Sequence, residues 1–128
     1  MIVVLFSSVD RPDIDVEEYG RASSRMREIA ASVPGFVSFN TYVSSDGEDL
    51  VVVRFDSLEA LEAWRNHPEH LEVQEQDRSA WSQEYWVQTS ETVREYRWTA
   101  REGYRGDLRD RFVARSEIVP HSGPASAG

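Results

Sequence analysis

His70, Gln74, Arg78 and Trp81 recur at steps of four, four and three, a spacing that sets side chains on one face of a helix. Few apolar residues accompany them, so the face is either washed by solvent, the usual fate of a charged row, or turned into a polar pocket. In a pocket, a histidine with an ordinary pKa of about 6.5 can take a phenolic proton or hydrogen-bond the anion left behind. Arg78 would then stabilise that anion. As readily, His70 is a surface or capping residue beside the helix-breaking Pro68. Six residues before it stands Trp64, which either fills core or lines a pocket, and a tryptophan can do both. Ser7, Tyr42 and Tyr85 are further candidate hydroxyls for the same site.

Other chemistries fall away. His67 and His70 with Glu69 and Glu72 invite a zinc site, but His67 precedes Pro68, so a shared ligand face is not assured, and neither a cysteine nor a third histidine is near. No metal site is expected. Gly103-Tyr104-Arg105-Gly106 lacks the strand and helix that frame a phosphate loop. The G-x-S-x-G elbow of serine hydrolases does not occur. The chain has no cysteine, which removes disulfides and thiolate chemistry. Its formal net charge of −9 opposes binding to nucleic acid or an anionic membrane. No apolar run approaches a membrane span, and the opening MIVVLF is too short for a signal peptide, so a cytoplasmic location is expected. All fourteen basic residues are arginine.

The elements that must hold these residues follow from periodicity. Residues 2–9 are an apolar run of strand formers closed by Asp10, Arg11 and Pro12. Asp15 and Glu18 form a capping box ahead of a stripe at Val16, Tyr19, Ala22, Met26, Ile29, Ala30 and Val33, and Pro34-Gly35 stops that helix. Residues 36–43 and 50–55 flank Asp46-Gly47 and read as a hairpin. The run LVVV at 50–53 is too apolar for a strand wet on one side, so both its faces are expected to be covered. Ser57 caps a helix over 58–65, Pro68 breaks it, a second helix is expected from Glu69 to about Ala80, and residues 85–98 read as the last strand. This βαββαβ order predicts an α+β, ferredoxin-like fold with an antiparallel sheet. Its helices cover one face only, and pairing two sheets into a barrel covers the other, so a homodimer is expected. Residues 1–98 carry nine arginines against nineteen acidic residues, and 99–128 five against four. The near-neutral extension could dock on the acidic body through Leu108, Phe112, Val113, Ile118 and Val119, with its last residues flexible.

The chain resembles the antibiotic biosynthesis monooxygenase domain of the dimeric α/β-barrel superfamily over roughly residues 1–98. The residues that carry the likeness are Pro34-Gly35-Phe36, Arg54-Phe55-Asp56-Ser57, the run Ala63 to His70 with Gln74, Gln76 and Arg78 behind it, and the last strand. The resemblance implies one pocket per subunit, between helices and sheet. There an electron-rich phenol, anthrone or hydroquinone would be oxidised by molecular oxygen without metal or flavin. It places Trp64 in the pocket wall and puts His70 where relatives carry a tyrosine or histidine. Gln74 and Trp81 join the site on the same face, so a small aromatic substrate and oxygen are the expected partners, with no cofactor. The alternatives are a haem-binding or haem-degrading protein of the same fold and a non-catalytic dimeric module that binds a small molecule. The haem-degrading branch relies on a strand Asn and a ligating His where this chain has Ser7 and Gln74, which leaves only Trp64 in place and His70 about one turn away.

Overall fold

A computed structural model of the protein describes residues 1–105, and its contacts divide the chain after Val93. The first unit runs β1 (Ile2–Asp10), α1 (Val16–Ser32), β2 (Phe36–Val43), β3 (Asp49–Phe55), α2 (Leu58–Arg65), α3 (Pro68–Gln76), a π-helical turn (Asp77–Trp81) and β4 (Ser82–Glu91). Its strands form one antiparallel sheet in the order β2-β3-β1-β4. This is the expected ferredoxin-like fold. In the second unit, β5 (Arg97–Thr99) and β6 (Gly103–Arg105) make a short antiparallel hairpin. The expected strand over 85–98 is therefore two elements. Pairing with β1 ends at the Ile2–Glu91 register, where β1 itself begins, and Val93 is fully solvated. Leu108, Phe112, Val113, Ile118 and Val119 lie outside the described residues.

Local chemistry accounts for the boundaries. The Asp15 carboxylate accepts from the Glu18 N–H at the start of α1, and the Ser57 hydroxyl accepts from the Ala60 N–H at the start of α2. Pro68 occupies the first turn of α3, where its missing N–H costs nothing, and the residue that caps this helix is His67, not His70: its Nδ1 accepts from the Glu69 N–H at 3.1 Å. Gly35 ends the first helical segment at φ 98°, and a Cβ there would collide with the Asp56 carboxylate and lie 2.9 Å from the Ala60 methyl. Only glycine satisfies both the conformation and the space.

Register assigns each strand residue to a face. Ile2, Val4 and Phe6 with Val51, Val53, Phe55 and Phe39 face the helices, where Met26, Ile29, Ala30, Ala60, Leu61 and Trp64 close the core. The opposite face presents Val3, Leu5, Ser7 and Val9, paired across with Leu50, Val52, Tyr42, Trp86 and Gln88. No other element of this unit covers it. Tyr42 and Trp86 are each more than half exposed there.

Candidate active site

Between the helices and the sheet lies a cavity of about 300 Å³, at the lower end of the range for ligand sites. Its floor is Val4, Phe6, Val51, Val53, Val87 and Thr89 from the sheet. Its walls are Tyr19 and Met26 from α1, Leu61, Trp64 and Arg65 from α2, and His70, Val73, Gln74, Asp77 and Trp81 beyond the break. The wall is pinned at both ends. Arg25 of α1 holds Glu69 through two bonds of 2.7 Å. Glu18 accepts from Gln76 Nε2 at 2.8 Å and from Trp81 Nε1 at 3.2 Å. Arg11, just past β1, donates to the carbonyls of Arg78 and Ser82.

Trp64 is both of the things the sequence allows. Its ring packs edge-on to Phe39 and tilted on Phe55, its Nε1 donates to the Met26 carbonyl at 3.1 Å, and the same ring lines the cavity. The His70 ring meets Trp64 at 4.4 Å between centroids. Its Nδ1 is buried with no hydrogen-bond partner among the described residues. Burial, and to a lesser extent the neighbouring Arg65 and His67, pull the imidazole down from 6.5 to about 4. His70 is thus neutral at physiological pH, with one nitrogen to donate and one to accept.

Of the residues singled out from sequence, Trp64, His70, Gln74 and Trp81 meet at the cavity. Four others do not. Arg78 is exposed, and its guanidinium donates to the Tyr85 hydroxyl at 3.1 Å; Tyr85 itself stacks on Phe6 beside the cavity and is not part of its lining. Ser7 and Tyr42 lie on the face of the sheet opposite the helices, because they alternate out of phase with Phe6 and Thr41. Arg78 leaves the His70 face for an angular reason. At about 100° per residue, two steps of four carry Arg78 about 80° off the His70 face, whereas seven residues return within about 20°. Position 77 is the inward one. The π-turn, closed by the Ser82 N–H bonding back to the Asp77 carbonyl, then lets Asp77 and Trp81 both point inward with Arg78 outside.

Asp77 and Tyr19 are the cavity residues that sequence reasoning passed over. Asp77 is 5% exposed, and its Oδ1 accepts from Ser82 Oγ at 2.7 Å. Burial raises its carboxyl, helped by Asp10 and opposed by the Ser82 hydrogen bond and by Arg78 and Arg11. Tyr19 meets Trp81 edge-on, and burial with Asp49, Asp77 and Asp10 pushes its hydroxyl up to about 12. Asp49 in turn rises to about 6 through burial and its hydrogen bond with Asp10. Among the described residues no group of three or more His, Asp or Glu is placed to hold a metal, and no helix is long and apolar enough to cross a membrane.

The depressed His70 pKa makes stability depend on pH. The unfolded chain protonates this ring below about 6.5 and the folded one only near 4, so its contribution is complete above 6.5 and is lost as pH falls to 4. The full amount is on the order of 3 kcal/mol. Asp49 acts with the opposite sign in the same window, because its folded pKa is raised. The difference between wild type and His70→Gln isolates the histidine. In urea unfolding, that difference should shift against the wild type between pH 7 and pH 4; a constant difference would mean that His70 is solvated.

The family model for antibiotic biosynthesis monooxygenase matches residues 1–76. The chain is 36% identical over 92 residues to the uncharacterized protein YqjZ of Bacillus subtilis (strain 168), covering 72% of this chain and 79% of that one. The chain therefore belongs to the antibiotic biosynthesis monooxygenase family. Among solved structures, Rv0793 from Mycobacterium tuberculosis superposes with a TM-score of 0.65 at 23% identity, over 73% of this chain and 96% of that one. The N63A mutant of SnoaB, a cofactor-independent oxygenase from Streptomyces nogalater, superposes with a TM-score of 0.62 at 12% identity, over 73% and 94%. At such identities these likenesses show the fold.

Proposed function

We propose that the cavity oxidises an electron-rich aromatic (a polyketide phenol, an anthrone or a hydroquinone) with molecular oxygen and no cofactor, in a homodimer with one site per subunit. The observation that carries the reading is His70 Nδ1, a buried and unpartnered polar atom on the wall of a mostly apolar, aromatic-rich cavity. A ligand oxygen in the cavity can supply the missing partner. The family and the cofactor-independent oxygenase of like fold supply the reaction class.

The substrate lies against Trp64 and loses a proton, and its anion reduces oxygen to a hydroperoxide. Loss of water leaves a carbonyl, so one oxygen atom enters the product and the other leaves as water. The redox chemistry is the substrate's own. The protein supplies orientation, a mostly apolar surround and hydrogen bonds to the developing anion. His70, neutral and weakly basic, hydrogen-bonds the substrate oxygen, with Gln74 beside it. Arg65 is the cation in the lining, the role that Arg78 had in the sequence reading.

Oxygen uptake with a panel of anthrones and hydroquinones tests this. One oxygen should be consumed per anthrone converted, and His70→Ala should lower kcat about 10²-fold or more. A sharp Soret band on titration with haemin, lost in His70→Ala, would overturn the reading in favour of haem chemistry.

A further inference from the structure

We propose that Asp77 is the second polar anchor of the cavity and the group that takes the ligand's proton, so that the site selects a flat aromatic bearing an oxygen at each end. This rests on the cavity being the substrate site. Asp77 lines the cavity, is 95% buried by its 5% exposure, and has one carboxylate oxygen fixed by Ser82. The other, Oδ2, is buried without a partner among the described residues. Leaving a buried carboxylate oxygen unpaired is costly, and a donor from the cavity's occupant removes the cost. His70 Nδ1 is the other such atom on this wall. The two residues are seven apart on one helix face, hence about 10 Å along the axis. The lining between and opposite them is mostly apolar, with Val73, Trp64 and Met26. A hydroxyl at one end of a fused-ring ligand donates to Oδ2, and the oxygen at the other end meets His70.

In the proton-transfer step the ligand O–H breaks, the proton goes to Oδ2, and the electron pair stays on the ligand oxygen as phenolate. Asp77 suits this role better than His70. Burial and Asp10 raise its affinity for a proton, whereas His70 is brought down to about 4. The groups facing it are Asp10 and Arg11 at the end of β1, Tyr19 from α1, and Arg78 and Ser82 beside it; Asp49 faces it through Tyr19. Ser82 is a positioning residue, and its hydrogen bond favours the charged carboxylate.

Binding of 2,6-dihydroxyanthraquinone and of unsubstituted anthraquinone, read by quenching of tryptophan fluorescence, tests the anchor without requiring turnover. Wild type should bind the hydroxylated quinone at least about ten-fold more tightly. Asp77→Leu should bring the two within about two-fold, with a far-UV circular dichroism spectrum like the wild type's certifying the fold. Equal wild-type affinities, or an unaltered preference in Asp77→Leu, would overturn the anchor and leave the cavity reading standing. No binding of either quinone would remove both. In oxygen uptake, Asp77→Asn, which keeps the shape, should lose about 10²–10⁴-fold in kcat. Full turnover in that variant overturns the proton acceptor. Ser82→Ala should move the acidic limb of the pH–rate profile upward, a shift that loss of packing alone would not produce.

Discussion

Trp64→Ala is expected to lower the stability of the first unit by about 3–5 kcal/mol, the range for emptying a buried tryptophan site. The side chain is 7% exposed, wedged among Phe39, Phe55 and His70, and its indole N–H satisfies the Met26 carbonyl. Alanine leaves a void and removes the indole hydrogen bond to the Met26 carbonyl, which adds about 1 kcal/mol. Domains of this size hold only about 5–15 kcal/mol in all, so the variant should unfold at a much lower urea midpoint than the wild type. The effect reaches the site as well. With the indole gone, water reaches His70, and the imidazole should titrate closer to 6.5 than to 4 in a proton NMR titration. Trp64→Phe, which refills most of the volume without the donor, should lose less stability and keep the depressed histidine. A Trp64→Ala loss below about 1 kcal/mol would show that this ring is not part of the core.

What was legible beforehand follows from which signals are local. Asp15, Ser57, Pro68 and the Asp46-Gly47 turn fix boundaries through their own hydrogen bonds and backbone preferences, so the element order could be read from them. Trp64 and His70 could be read because one spans the core and the other follows the break at a short interval. For Ser7 and Tyr42 the sequence offers strand membership without a register. A strand's period of two makes a one-residue error a change of face, and Ser7 lies outside where Phe6 and Ser8 lie inside. Asp77 was hidden by its type. An acidic residue on a short helix reads as solvated, and only the seven-residue return from His70 marks it as inward. The π-turn has no sequence signature of its own, yet it decides that Arg78 faces water while Trp81 does not.

The sheet face opposite the helices carries the other large effect. Leu5 and Val52 are register partners at its centre, with Val3, Val9 and Leu50 around them and Tyr42 and Trp86 toward the flanks. A second copy laid on this face by a twofold axis would bury the same residues from both sides. The wild-type protein should therefore show twice the 14.7 kDa chain mass in light scattering at micromolar concentration. Leu5→Arg should reduce that to a single chain. Each buried, unpaired guanidinium costs several kcal/mol, and twofold symmetry counts it twice, so association should weaken by more than about 10³-fold. The control is Leu58→Arg, since Leu58 is 54% exposed on α2, on the helix side of the sheet. That variant should keep the dimer mass. A wild-type monomer, or a Leu5→Arg protein that still sediments as a dimer, would mean that this face is covered by something other than a second copy.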